Sequence, residues 1–120
     1  MRTFALDGRA PPLPPLVPTW PATPTPPEQF ADAATISRGE YFYLNNCLTC
    51  HGGLARSAGL NPDLRRSAVI GDRDSFHAVV GEGILAERGM VGFAKVYSPA
   101  EIEAIRAYII SRARKDFSAR

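Results

Sequence analysis

Cys47-Leu48-Thr49-Cys50-His51 is the stretch of this 120-residue chain whose residue types and spacing point to a definite chemistry. Two thiols three positions apart share one turn of a helix, and the next residue carries an imidazole. This C-x-x-C-H order is the signature of covalent c-type haem attachment, in which both thiols add to the vinyl groups of the porphyrin and the histidine takes one axial position on iron. Two other chemistries use paired cysteines. A redox dithiol sits at the strand-to-helix junction of a β-α-β unit, and no such pattern is visible here. A structural zinc site needs about four ligands, yet His77 is the only other histidine and no further cysteine exists.

An electron-carrying iron needs a second strong-field axial ligand, so that six-coordination persists in both oxidation states. The candidates are Met90 and His77. Met90 lies in Arg88-Gly89-Met90-Val91-Gly92-Phe93, a glycine-flanked loop able to bend close to a flat ligand, 39 residues after His51. Methionine often serves as a core filler; beside a haem motif we assign Met90 to iron and His77 to a helix face. Methionine raises the potential relative to two histidines.

The elements that must position these groups are helical. Ile36, Gly39, Tyr43 and Cys47 recur at spacings of three and four, which predicts a first helix over about 33–46. A weaker helix is expected over about 74–80, with Asp72, Asp74 or Ser75 as cap and Gly81 and Gly83 as stop. The last helix is the best signalled: Ser98-Pro99-Ala100-Glu101 combines an N-cap serine, a first-turn proline and a capping-box glutamate, ahead of Ile102, Ile105, Tyr108 and Ile109. Arg112, Arg114 and Lys115 suit the negative end of its dipole.

The beginning of the chain reads differently. Nine of the eleven prolines lie between Pro11 and Pro27, and no charged residue falls between Arg9 and Glu28. Such a stretch favours an extended, semi-rigid spacer and excludes helix and sheet; Leu13, Leu16, Val17 and Trp20 suit either a tether laid on a protein surface or a mobile tail. Residues 1–9 form a short strand-like piece ending at the Asp7-Gly8 turn signal, 10–29 the proline-rich linker and 30–120 a single small domain. A net charge of +2 gives no field to gather nucleic acid or an anionic membrane. No export signal and no apolar run of membrane-spanning length is present, although haem attachment implies an exported protein and so a start at Met1 that is artificial.

Over residues 30–115 the chain resembles class I cytochromes c. The resemblance implies an all-α fold of three main helices around one covalent haem, with Cys47, Cys50, His51 and Met90 as cofactor-binding residues and His51 and Met90 on iron. It further implies that Pro62 accepts a hydrogen bond from the outer nitrogen of His51, the kind of support that orients a metal-bound imidazole, and that Gly39, Tyr43 and Tyr108 form the crossing of the first and last helices. Arg65 and Arg66 suit haem propionates, or are a solvated basic pair. A narrower similarity, carried by Phe4-Ala5-Leu6-Asp7-Gly8-Arg9, Pro62-Asp63-Leu64-Arg65 and the segment 89–113, is to the C-terminal cytochrome domain of quinohaemoprotein alcohol dehydrogenases.

That similarity implies a domain that is no enzyme by itself. It would take electrons from pyrroloquinoline quinone in a missing catalytic β-propeller, with residues 1–9 as the end of that propeller, and pass them to an external acceptor such as a blue copper protein or soluble cytochrome. A monomer in the periplasm is expected, without nucleic acid or membrane span. An apolar patch drawn from Gly52, Gly53, Leu54, Ala55, Val91 and Phe93 would serve docking. A free-standing cytochrome shuttle, a haem enzyme or sensor with an open distal position, and a haem-free module built on the proline stretch remain the alternatives.

Overall fold

The computed structural model describes residues 8, 15, 23–57, 59 and 61–119. The strand-like opening and nearly all of the proline-rich stretch lie outside the described residues. Among the described residues there is no strand, and the fold is all-α.

Helix α1 runs Ala33–Asn46, started by Asp32, whose carboxylate accepts from the Thr35 amide. The chain scarcely pauses at Cys47, which stays in helical conformation, before the short α2, Leu48–His51. Helix α3, Arg73–His77, is capped by Asp72 and widens into a π-helical stretch, Ala78–Glu82. The expected stop at Gly81 is passed, and the segment ends at Gly83, whose φ of 74° is the left-handed conformation glycine adopts freely. Helix α4 spans Pro99–Ser118, with both hydrogen bonds of the Ser98–Glu101 capping box formed. Short 3₁₀ turns fill the connections.

Helix α4 is the centre of the molecule, buried on every face from Ala104 to Ile110. One side receives α1. A Cβ placed on Gly39 would lie 1.8 Å from the Ala104 carbonyl oxygen, so the two backbones touch where a side chain has no room. One turn further along, the Tyr43 and Tyr108 rings pack with centroids 5.1 Å apart. Gly39, Tyr43 and Tyr108 therefore form the helix crossing expected of them.

The other side of α4 is covered by the 3₁₀ turns, α3 and the last residues of the proline-rich stretch. The Gln29 side-chain amide donates to the Ala107 carbonyl at 2.9 Å and Arg114 donates to the Pro27 carbonyl at 3.1 Å, so residues 27–29 are fastened to the domain. Arg106 is a buried cation with several partners: it bonds Glu103 through two nitrogens at 3.0 and 2.9 Å, donates to the Ile70 carbonyl at 3.0 Å, and lies over the Phe30 ring. His77 completes the cluster, its Nε2 2.9 Å from Glu103 Oε1. It lies on a helix face, as expected.

Two outcomes follow from this packing. Gly39→Ala is expected to cost about 3 kcal/mol in a denaturant titration, since the added methyl must force α1 and α4 apart. Burial pushes the Glu103 carboxyl up, but hydrogen bonds from Arg106 and His77 more than offset this and hold it below its ordinary value. A carboxylate depressed in the folded state stabilises it at pH above the ordinary glutamate range and loses that contribution as pH falls through the folded-state value. Glu103→Gln is therefore expected to cost about 2 kcal/mol at neutral pH, with the gap to the parent protein closing as the titration is repeated below about pH 4.

Candidate functional site

The near-continuous path from α1 into α2 decides how the C-x-x-C-H residues are presented. Cys47 continues the inward face of Gly39 and Tyr43 and is buried in the core cluster, whereas Cys50, one turn on, is exposed. Burial, with the neighbouring Cys50, pushes the Cys47 thiol up to about 11. His51 is half-buried with its amide bonded to the Cys47 carbonyl at 2.9 Å. Burial lowers the basicity of its imidazole, against which the Pro62 carbonyl acts in the opposite sense. The neutral ring that results is the form that binds a metal. Pro62 thus lies beside the ring, without closing the full hydrogen bond, since the buried Nδ1 of His51 has no partner.

Met90 is half-buried and packs against the same core cluster that holds Cys47. Its loop is fixed by close backbone approach. A Cβ on Gly83 would lie 2.7 Å from the Gly92 amide nitrogen, and one on Gly92 would lie 2.7 Å from the Gly81 carbonyl oxygen. The Phe93 amide donates to the Val80 carbonyl at 2.7 Å, and the Ala94 amide to Gly81 at 3.1 Å. Gly92, two residues past Met90, therefore presses this loop onto the π-helical turn.

These residues fit the prosthetic group their motif specifies. Two thiols and an imidazole sit in the required order on one helical run, and a soft thioether packs against the core that holds the first thiol. Apolar side chains beside the candidate ligands stand out from the surface: Leu48 next to Cys47, Leu54 three residues past His51 and Val91 next to Met90 are 39%, 51% and 55% exposed. Among the described residues no three His, Cys, Asp or Glu side chains gather as a metal site, which leaves the zinc reading without its ligands.

Arg65 is placed differently from the propionate expectation. Its guanidinium is buried and engaged by two protein carboxylates, Asp63 at 2.6 Å and Asp116 at 2.8 Å. That ties the 3₁₀ turn Leu64–Arg66 to the end of α4. The Asp116 partner lies 51 positions away and has no local signal in the sequence.

Other features escaped sequence reasoning as well. The Asn61 side-chain amide donates to the Cys50 carbonyl at 2.6 Å, and the Tyr43 hydroxyl donates to the Gly52 carbonyl at 2.7 Å. Just beyond, Leu54 and Ala55 both adopt left-handed backbone, with φ of 59° and 58°. Side chains with a Cβ take that conformation at a cost of about 1–2 kcal/mol each. The Gly52-Gly53 pair was the only hint of a special turn here.

Comparison with known proteins agrees with this geometry. Residues 34–109 match the family described as Cytochrome C oxidase, cbb3-type, subunit III. The chain is 40% identical over 114 residues to the dehydrogenase subunit of the quinone alcohol dehydrogenase of Komagataeibacter europaeus, a match covering 95% of this chain and 15% of that protein. It is 36% identical over 117 residues to quinohemoprotein alcohol dehydrogenase ADH IIB of Pseudomonas putida, covering 98% of this chain and 17% of that one. A solved structure of quinohemoprotein alcohol dehydrogenase ADHIIG from Pseudomonas putida HK5 superposes with a TM-score of 0.73 at 32% identity, covering 97% of this chain and 16% of that chain. The chain thus spans about a sixth of the length of the relatives it matches.

Proposed function

This chain belongs to the cytochrome c family, a membership that implies haem c and electron transfer, and from that premise we propose that it is the one-electron relay of a quinohaemoprotein alcohol dehydrogenase. The observation that carries the reading is that Cys47 lies in a core cluster against which Met90 packs, with Cys50 and His51 following Cys47 along one helical run, in a segment that its relatives carry within far longer dehydrogenases.

The roles divide among the residues. Cys47 and Cys50 would hold one haem covalently, each thiol adding sulfur and hydrogen across a vinyl double bond so that no oxidant would be consumed. The exposed thiol and the buried one fix two points of the porphyrin edge. His51 would bind the iron as a neutral imidazole, with Pro62 beside its other ring nitrogen. Met90, on a loop bonded to the π-helical turn through the Phe93 and Ala94 amides, would supply the second ligand to iron. Haem contributes the reversible one-electron step; the protein contributes constancy around it and closes the distal side to oxygen.

Electrons arrive singly from a reduced pyrroloquinoline quinone in the catalytic part of the same polypeptide and leave to a soluble acceptor, in the periplasm. Leu48, Leu54 and Val91, apolar and exposed, suit brief contacts on either side of that exchange. Among the described residues no helix is long and apolar enough to cross a membrane. The proline-rich stretch serves as the spacer: a tether converts a weak contact into one made at millimolar effective concentration.

Two measurements test this. Met90→Ala in the haem-loaded protein is expected to retain covalent haem, lower the midpoint potential and let the reduced form bind carbon monoxide; an unchanged ferric spectrum and potential would remove Met90 from iron. A haem-stained denaturing gel of periplasmic extract, probed in parallel with an antibody to this chain, is expected to show one band several times larger than 13.0 kDa. A stained band at the chain's own mass would make it a free-standing carrier instead.

A further inference from the structure

His51 stands between two backbone carbonyls, those of Cys50 and Gly52, and each is gripped by a side chain from a distant position. Asn61 Nδ2 holds the first at 2.6 Å and Tyr43 Oη the second at 2.7 Å. We infer that Tyr43 and Asn61 are positioning residues for the proximal ligand, a two-handed clamp that fixes the backbone on which the His51 imidazole turns. The inference rests on His51 being the iron ligand and extends that reading to residues with no contact to iron.

The Tyr43 hydroxyl is not needed for packing. The ring sits in the α1–α4 crossing against Tyr108 and is fully buried, a place a phenylalanine fills equally well. Tyr108 shows the contrast, because its own hydroxyl is buried there with no hydrogen-bond partner. What the Tyr43 oxygen adds is a bond into the turn that follows His51, where the Ala55 amide also acts on it.

That turn needs holding. Leu54 and Ala55 are left-handed without being glycines. Gly52, at φ 75°, approaches so closely that a Cβ there would lie 2.2 Å from the Arg56 carbonyl oxygen. Left to itself the turn would relax toward ordinary backbone, carrying Gly52 with it. Backbone strain beside a functional group persists only where the surroundings over-determine it, and the Tyr43 hydroxyl supplies one such constraint from outside the turn. On the other side, Asn61 precedes Pro62, so the residue that grips Cys50 also carries the carbonyl that faces the imidazole into place.

The test is Tyr43→Phe, and separately Asn61→Ala, in the haem-loaded protein. Three readouts are taken: the electron paramagnetic resonance g-values of the oxidised haem, which respond to the imidazole plane, the midpoint potential, and amide exchange over residues 52–56. Tyr43→Phe is expected to keep covalent haem and methionine ligation while shifting the g-values and potential and speeding exchange in that turn roughly tenfold, the scale of one net hydrogen bond. Asn61→Ala is expected to shift the g-values in the same way. If g-values, potential and exchange all match the parent protein, the clamp is refuted.

If Tyr43→Phe folds poorly, Ala55→Gly in the same background relieves the left-handed strain and is expected to restore the fold; failure to restore it refutes the clamp. The two readings separate cleanly. A parent protein that takes up no haem overturns the cytochrome assignment, whereas exchange over 52–56 that is equal with and without the hydroxyl overturns the clamp.

Discussion

The approach of Gly39 to the Ala104 carbonyl is the constraint on which the rest of the structure depends. Without a side chain at that point the α1 and α4 backbones meet, and every residue a turn or two further along α1 inherits its position from that contact. Tyr43 comes next and packs on Tyr108, then Cys47 enters the core, then the helix ends in Cys50 and His51. The chemistry is thus set by a helix crossing four residues before the first aromatic contact, and eight before the first thiol. Shifting the crossing by one methyl group moves the whole row, because α1 runs into α2 with scarcely a break.

The same crossing explains which parts of the molecule were legible in the sequence. Helix α1 and helix α4 announced themselves because both obey local rules: apolar residues at helical spacing and, for α4, a complete capping box. Cys47, Cys50 and His51 stood out because the covalent attachment proposed for them demands a fixed spacing, and Met90 because glycines flank it. Helix α3 was only half-read. Its α-helical hydrogen bonds give way to a π-helical turn, which carries the chain through Gly81 to Gly83 so that Gly92 can press against it. Nothing in Ala78-Val79-Val80-Gly81 marks that widening, since it is imposed by the loop carrying Met90.

What the sequence concealed has a common physical character: polar contacts between residues far apart in the chain. Arg65 read either as a propionate partner or as half of a solvated basic pair, whereas Asp116 reaches it from the far end of α4. The hydrogen bonds to Cys50 and Gly52 span eleven and nine positions, neither a helical nor a strand spacing, so no periodicity betrays them. Hydrophobic patterning reports which face is buried. It carries no information on where a buried donor will find its acceptor, and those bonds decide how rigid a site is.

Rigidity and weak charge together shape how such a domain can work. A carrier with a net charge of +2 has little field with which to draw a partner from solution, and steering by charge is the usual way to fast encounters. The exposed apolar residues near the proposed ligands offer contact area but no long-range pull. In the proposed reading a covalent spacer supplies what the charge does not, by holding donor and acceptor within reach of each other. The fastening of residues 27–29 onto α4 by Gln29 and Arg114 adds direction, because the spacer then leaves the domain at a fixed point rather than from a loose end. With the departure point fixed and the α1–α4 crossing holding the C-x-x-C-H run, the proposed haem edge presents the same face to its donor at every encounter.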